Sequence, residues 1–187
     1  GRGVLIDMAR HRGKAVLDIG CSDGRYLAER GQFQLCSLRA GIDPDRPAIL
    51  RGFAKYPQLD LKVGYAEHLP WEDGTFSFVW SLVSMPYTDL PAAFKEAHRV
   101  LKQEGAIHFC MHDWRHQWKF LRTDIKKMQW KSIIDHIIYI VPNSICVALF
   151  GKSFKRPYGN HQRVSFQTRA RCRKLAVQAG FRCVTAY

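Results

Sequence analysis

Two short stretches hold residue types that could bind a ligand. The first is Val16-Leu17-Asp18-Ile19-Gly20-Cys21-Ser22-Asp23-Gly24. Glycines at 20 and 24 let backbone approach a ligand closely and permit positive φ, and Asp18 places a carboxylate where it can orient that turn or meet a cation. The spacing is not G-x-G-x-x-G, the pattern that seats a pyrophosphate on a helix N-terminus. The second stretch is Gly41-Ile42-Asp43-Pro44. A carboxylate about twenty residues beyond a glycine turn can accept both hydroxyls of a ribose diol. The competing reading of Asp43 is a helix cap for the residues that follow.

Both stretches need elements to hold them. Residues 15–20 are a short apolar run that suits a buried parallel strand. A helix is expected over 25–30, stopped by Gly31, then a strand over 35–42, a helix over 47–56 and a strand over 60–64. A strand over 75–83 follows the turn signals Leu69-Pro70 and Asp73-Gly74. Leu90, Phe94, Ala97 and Leu101 repeat at helical spacing, with Gly105 expected to end that helix and 106–111 to form a fifth strand. Strands alternating with helices predict an α/β fold. It is a Rossmann-like, mostly parallel sheet with helices on both faces, and ligands bind beyond the strand C-termini.

After strand five the pattern changes. An insert over approximately 113–163 is basic over 114–132 and strongly apolar over 133–150. Asp135, His136, Pro142 and Asn143 interrupt the apolar run, which predicts a helical hairpin packed on the sheet rather than a spanning helix. A lid over an apolar substrate and an interfacial segment are the alternatives. Trp114, Trp118 and Leu121 lie at helical spacing and are expected to pack inward beneath solvated Lys and Arg. A basic helix over 168–179 and a last strand over 181–187 complete a single expected domain, 1–187.

Charge is uneven. Residues 1–109 carry 14 Lys+Arg against 13 Asp+Glu, whereas residues 110–187 carry 15 against 3. A basic half of this kind attracts phosphate, nucleic acid or an anionic membrane. The six cysteines include no C-x-x-C pair, which argues against a zinc knuckle, and they read as small core residues of a reducing compartment. His112-x-x-x-His116 lacks an evident third ligand, so no metal is expected.

The two stretches, together with Ala66 to Val79 and Glu96 to Gly105, resemble the class I S-adenosylmethionine (SAM)-dependent methyltransferases, specifically the type 11 group that includes ubiquinone- and menaquinone-biosynthesis enzymes. The resemblance covers roughly 14–111 and resumes at about 164–184. It implies SAM as cofactor. Asp18, Gly20, Cys21 and Gly24 would hold its methionine moiety, Asp43 its ribose, Ala66 and Glu67 its adenine, and Ser81, Leu82 and Val83 the methionine end again. Two positions depart from the family pattern: Ser22 stands where a glycine is usual, and Tyr65 where an acid is common. The family sheet also has a seventh strand, which this sequence does not supply.

His112, beside Asp113, is the candidate base for an acceptor, and His68 and His161 are weaker ones. The expected activity is methyl transfer to a small or lipid-linked, anionic acceptor, in the cytoplasm and with a membrane surface as a further candidate partner. The alternatives are an RNA methyltransferase that uses the basic half, and an inactive methyltransferase-like binding subunit.

Overall fold

The computed structural model describes residues 13–110, 114–155 and 164–182. Five strands form one sheet: β1 (Ala15–Ile19), β2 (Leu38–Asp43), β3 (Asp60–Val63), β4 (Phe76–Leu82) and β5 (Leu101–Cys110), in the order β3-β2-β1-β4-β5. β1 is central and buried along its whole length, as its unbroken apolar run requires. It pairs in parallel with β2 (Ile19 opposite Ile42) and with β4 (Leu17 opposite Val79), and β2 pairs in parallel with β3. The order reverses between β1 and β4, which makes the C-terminal end of β1 the switch point of the sheet.

The described residues fall into two compact units. The first runs to Leu82 and takes in Arg99–Phe109. Its core gathers Val16, Leu27, Phe33, Ile49, Leu61, Phe78 and Trp80, from β1, β3, β4 and three short helices. These helices are α1 (Arg25–Glu29), α2 (Gly31–Gln34) and α3 (Arg46–Lys55). Gly31 therefore opens a second helical turn instead of ending the first. The reason is the extended Arg30 (φ −78, ψ 116) that separates the two helices.

The second unit is Val83–His98 with the residues from Cys110 onward. It contains most of α4 (Leu90–Val100), then α5 (Trp114–Lys126), α6 (Trp130–Asp135), α7 (Val141–Phe150) and α8 (Arg169–Gln178). Gly105 does not end α4, which stops at Val100; it lies inside β5. A Cβ at Gly105 would come within 2.8 Å of the Lys102 carbonyl oxygen, so the strand there admits only glycine without adjustment.

The expected hairpin at 133–150 is also corrected. α6, a five-residue π-helical turn (His136–Ile140) and α7 join into one helix, Trp130–Phe150. Pro142 follows closely on the π-helical turn, whose wider winding makes room for a ring that brings no N–H. The wide turn before it absorbs the register change. This helix is long and apolar enough to cross a membrane by length and composition. Trp118, expected to pack inward from α5, is 48% exposed. Residues 181–182 are not strand, and the rest of the expected last strand lies outside the described residues.

Candidate functional site

The loop after β1 alternates left-handed residues: Gly20 (φ 82), Ser22 (φ 53) and Gly24 (φ 75). It folds against the end of β2. The Gly20 and Cys21 amides both donate to the Ile42 carbonyl, at 2.8 and 3.2 Å, and the Ser22 amide donates to Asp43 Oδ2 at 2.9 Å. Gly41 is what permits this approach, since a Cβ there would sit 2.6 Å from Cys21 Sγ. Gly24 is needed for packing as well as for its turn, because a Cβ would meet Leu59 and Leu61.

Asp43 is not the helix cap. Asp45 takes that role, its side chain accepting the Ala48 amide at 3.1 Å, while Asp43 Oδ1 accepts the Asp45 amide at 2.9 Å. A carboxylate offers about four lone-pair sites, so Asp43 keeps two for a ligand after holding both amides. The two stretches singled out by sequence thus converge through direct hydrogen bonds.

Beside them opens a cavity of about 560 Å³. Of the expected residues, Asp18, Gly20, Cys21 and Leu82 line it; Gly24, Asp43, Ala66, Glu67, Ser81 and Val83 do not. Sequence reasoning missed Arg25, Tyr26, Glu29 and Arg30 on its wall. Their signal was available, because Arg25 and Glu29, and likewise Tyr26 and Arg30, are four residues apart along the helical turn that starts at the glycine loop. Tyr26 stacks on Trp80 with ring centroids 5.8 Å apart, which fixes that wall to the core.

Electrostatics at the loop favour a cation. Burial, and then the charge of Asp43, push the Asp18 carboxyl up to about 7 from its ordinary 3.8. Burial pushes the Cys21 thiol up as well, and the charges of Asp18 and Asp43 add to the effect. Cys21 is therefore a neutral thiol and no nucleophile at ordinary pH. A positive ligand group beside Asp18 would relieve the like-charge pair of acids.

The other expected positions are less directly engaged. The Ser81 hydroxyl donates to the Ile19 carbonyl at 3.0 Å, tying β4 to β1. Val83 has φ 62, costly for a β-branched residue and a mark of strain where β4 ends. Ala66 is buried, Glu67 half-buried and Tyr65 exposed, in a turn closed by the His68 amide on the Tyr65 carbonyl. His68 is exposed. His112, Asp113 and His161 lie outside the described residues.

The stretch around Leu69-Pro70 owes its shape to Arg99. The Arg99 guanidinium donates to the carbonyls of Leu69 and Trp71, both at 2.9 Å, and pairs with Asp73 at 2.7 Å. Trp71 in turn donates its indole N–H to Asp60 at 2.7 Å. Arg99→Ala is expected to lower stability by about 2–3 kcal/mol, because two carbonyls lose a charged donor. Asp73→Ala should cost under about 1 kcal/mol, since that side chain is 79% exposed. Urea denaturation of both variants checks the order; equal losses would contradict it.

Residues 17–109 match the family model described as a methyltransferase domain. Among curated relatives, an uncharacterized methyltransferase of Synechocystis sp. is 33% identical over 107 residues, covering 54% of this chain and 48% of the relative. A demethylmenaquinone methyltransferase of Chlorobaculum tepidum is 30% identical over 95 residues, covering 50% and 38%. The chain thus spans about half or less of the length of these relatives. A crystal structure from Thermotoga maritima, described as a SAM-dependent methyltransferase and possible histamine N-methyltransferase, superposes with a TM-score of 0.59 at 19% identity, covering 90% of this chain and 64% of that one. That last likeness is one of fold.

Proposed function

We propose that this chain, which belongs through residues 17–109 to the class I SAM-dependent methyltransferase family, binds SAM beyond the C-terminal ends of β1 and β2 and transfers its methyl group to an acceptor. The observation that carries the reading is the 2.9 Å hydrogen bond from the Ser22 amide to Asp43 Oδ2, which brings a diol-binding acid to the rim of a glycine loop. The residues fit the cofactor. SAM carries no phosphate but does carry a sulfonium and an amino group, and the loop offers it acids rather than a phosphate cradle. When bound, SAM supplies a methyl group activated for in-line displacement at the sulfonium.

The chain's own residues divide the remaining work. Asp43 accepts the ribose hydroxyls with the lone pairs its two amide contacts leave free. Asp18, raised by burial and by Asp43, ionises in response to a cationic group and holds it in place. Gly20 and Cys21, anchored on the Ile42 carbonyl, present backbone to the methionine end. Ala66 and Glu67 face the adenine side, and Leu82 and Tyr26 keep water from the reacting methyl.

For the acceptor, the reading is a small or lipid-linked molecule carrying an anionic group. Two features support it: the excess of 15 Lys+Arg over 3 Asp+Glu in residues 110–187, and the apolar helix Trp130–Phe150 in the same stretch. The C. tepidum relative, named for demethylmenaquinone, is in keeping with the lipid-linked part of that reading. His112 is the base we propose for acceptors that must lose a proton. The cysteines Cys21, Cys36, Cys110, Cys146 and Cys172 are in no disulfide among the described residues, in keeping with a reducing compartment such as the cytoplasm.

Calorimetric titration with SAM and with S-adenosylhomocysteine tests the reading. Saturable binding at micromolar ligand is the expected result. Absence of heat at millimolar ligand would reduce the chain to a binding subunit built on the same fold.

A further inference from the structure

The helix Trp130–Phe150 turns an apolar stripe outward, unlike a helix on a water-facing surface. Its outward positions are Trp130, Ile134, Ile137, Ile138, Ile145 and Leu149, a stripe at helical spacing. Ile138 is 65% exposed, Leu149 68% and Phe150 70%. Its inward side mixes apolar and polar groups: Ile133, Ile140 and Val147 are buried, and so are His136, Asn143 and Ser144.

Those polar groups are hydrogen-bonded to the second unit's own backbone. Asn143 donates to the Val164 carbonyl at 2.9 Å and accepts the Phe154 amide at 2.8 Å. Ser144 Oγ accepts the Phe166 amide at 2.9 Å, and Gln167 donates back to the Ser144 carbonyl at 3.1 Å. The Tyr139 hydroxyl bonds the Phe154 carbonyl. Single apolar side chains on a surface are ordinary, but a continuous stripe along five turns marks a surface that is covered in use.

Charge says what covers it. Exposed lysines bracket both ends of the stripe: Lys126, Lys127 and Lys131 at its start, Lys152 and Lys155 just past its end. In residues 110–187 the acids number three; of these, Asp124 is engaged by the Ser132 hydroxyl and Asp135 is half-buried. We propose that this outer face docks in the plane of an anionic lipid bilayer, its aliphatic side chains sunk among the acyl chains and its terminal lysines on the headgroups.

The hydrogen bonds fix the orientation. Crossing the bilayer would carry the buried Asn143 and Ser144, and the backbone of 164–167 bonded to them, into hydrocarbon where no water can satisfy the remaining groups. Lying flat leaves one face on protein and gives the other to lipid. The proposal goes beyond methyl transfer and does not depend on it.

Co-sedimentation of the full chain with vesicles of mixed phosphatidylglycerol and phosphatidylcholine tests it, with vesicles of phosphatidylcholine alone alongside. Binding to the mixed vesicles, weakening as salt rises, is expected, as is quenching of Trp130 by brominated acyl chains. The double variant Ile138→Asp/Leu149→Asp should bind at least about tenfold more weakly. Both side chains are exposed, so its thermal midpoint and its SAM titration should match the parent.

Undiminished binding by the variant, or no binding by the parent, overturns the proposal. So does a stable dimer that vesicles do not compete away and the same variant dissociates, because a second copy then covers the stripe. Vesicle binding in a chain that shows no heat with SAM would leave the docking face standing and remove only the methyl-transfer reading.

Discussion

Asp43→Ala is expected to weaken SAM binding by about two orders of magnitude, the largest effect of any single substitution outside the core. Three losses combine in it. The diol loses its acceptor pair, a contact to a charged group worth about 1.5–3 kcal/mol. The Ser22 amide loses its partner, which frees the glycine loop to move from the position the ligand needs. The Asp45 amide loses its partner too, at the entry to α3. Asp45→Ala, two residues away, is the control. It removes the cap on the Ala48 amide and should cost about 1 kcal/mol of stability while leaving affinity within about twofold. Titration calorimetry on both variants, with thermal melts, reads the contrast. Equal affinity loss in the two would show that Asp43 acts through the fold and not on the ligand.

Asp18→Asn should change how the protein responds to pH. In the unfolded chain this carboxyl ionises near 3.8, whereas in the folded protein it stays protonated until about 7. Between those values the folded state binds the extra proton, so stability falls as pH rises. It is fully present below about 4 and has been lost by the time pH passes 7. The displacement corresponds to a span of about 4 kcal/mol, an order-of-magnitude figure for a buried carboxyl. Asp18→Asn cannot ionise, so the slope over that window should flatten and the unliganded variant should be the more stable protein above pH 7. SAM affinity should move in the opposite direction. In the parent it should rise with pH up to about 7, because the cationic ligand selects the ionised carboxylate; in Asp18→Asn it should be weak and flat. Urea melts and titrations between pH 5 and about 8 measure both trends. A stability curve that keeps its slope in the variant would assign the proton to another group.

Arg99 and the long helix show the same division between local and distant causes. The loop it shapes is rich in turn residues, and a turn there is readable from Leu69-Pro70 and Asp73-Gly74 alone. That Arg99, from the end of α4, supplies the bonds that hold the turn is a matter of packing 26 to 30 residues away in the chain.

Sequence by itself determined the α/β rhythm, the glycine turn after β1 and the acid at the end of β2, because each follows from neighbours a few residues apart: an unbroken apolar run, a positive φ, a strand's last carboxylate. It left Asp43 with two readings, ligand acid and cap of the helix that follows. Only the pairing that sets Ile19 opposite Ile42 decided between them, by bringing the Ser22 amide to Asp43 and leaving Asp45 to start α3. The long helix was misjudged for a related reason. Pro142 and Asn143 read as a break, yet one follows a π-helical turn that accommodates its ring and the other bonds the backbone of Phe154 and Val164. Which side of a helix is polar can be read from its period. Which side is buried depends on what the rest of the chain lays against it, and here a segment whose own backbone needed partners covered the side that carries Asn143 and Ser144 and left an apolar stripe outward.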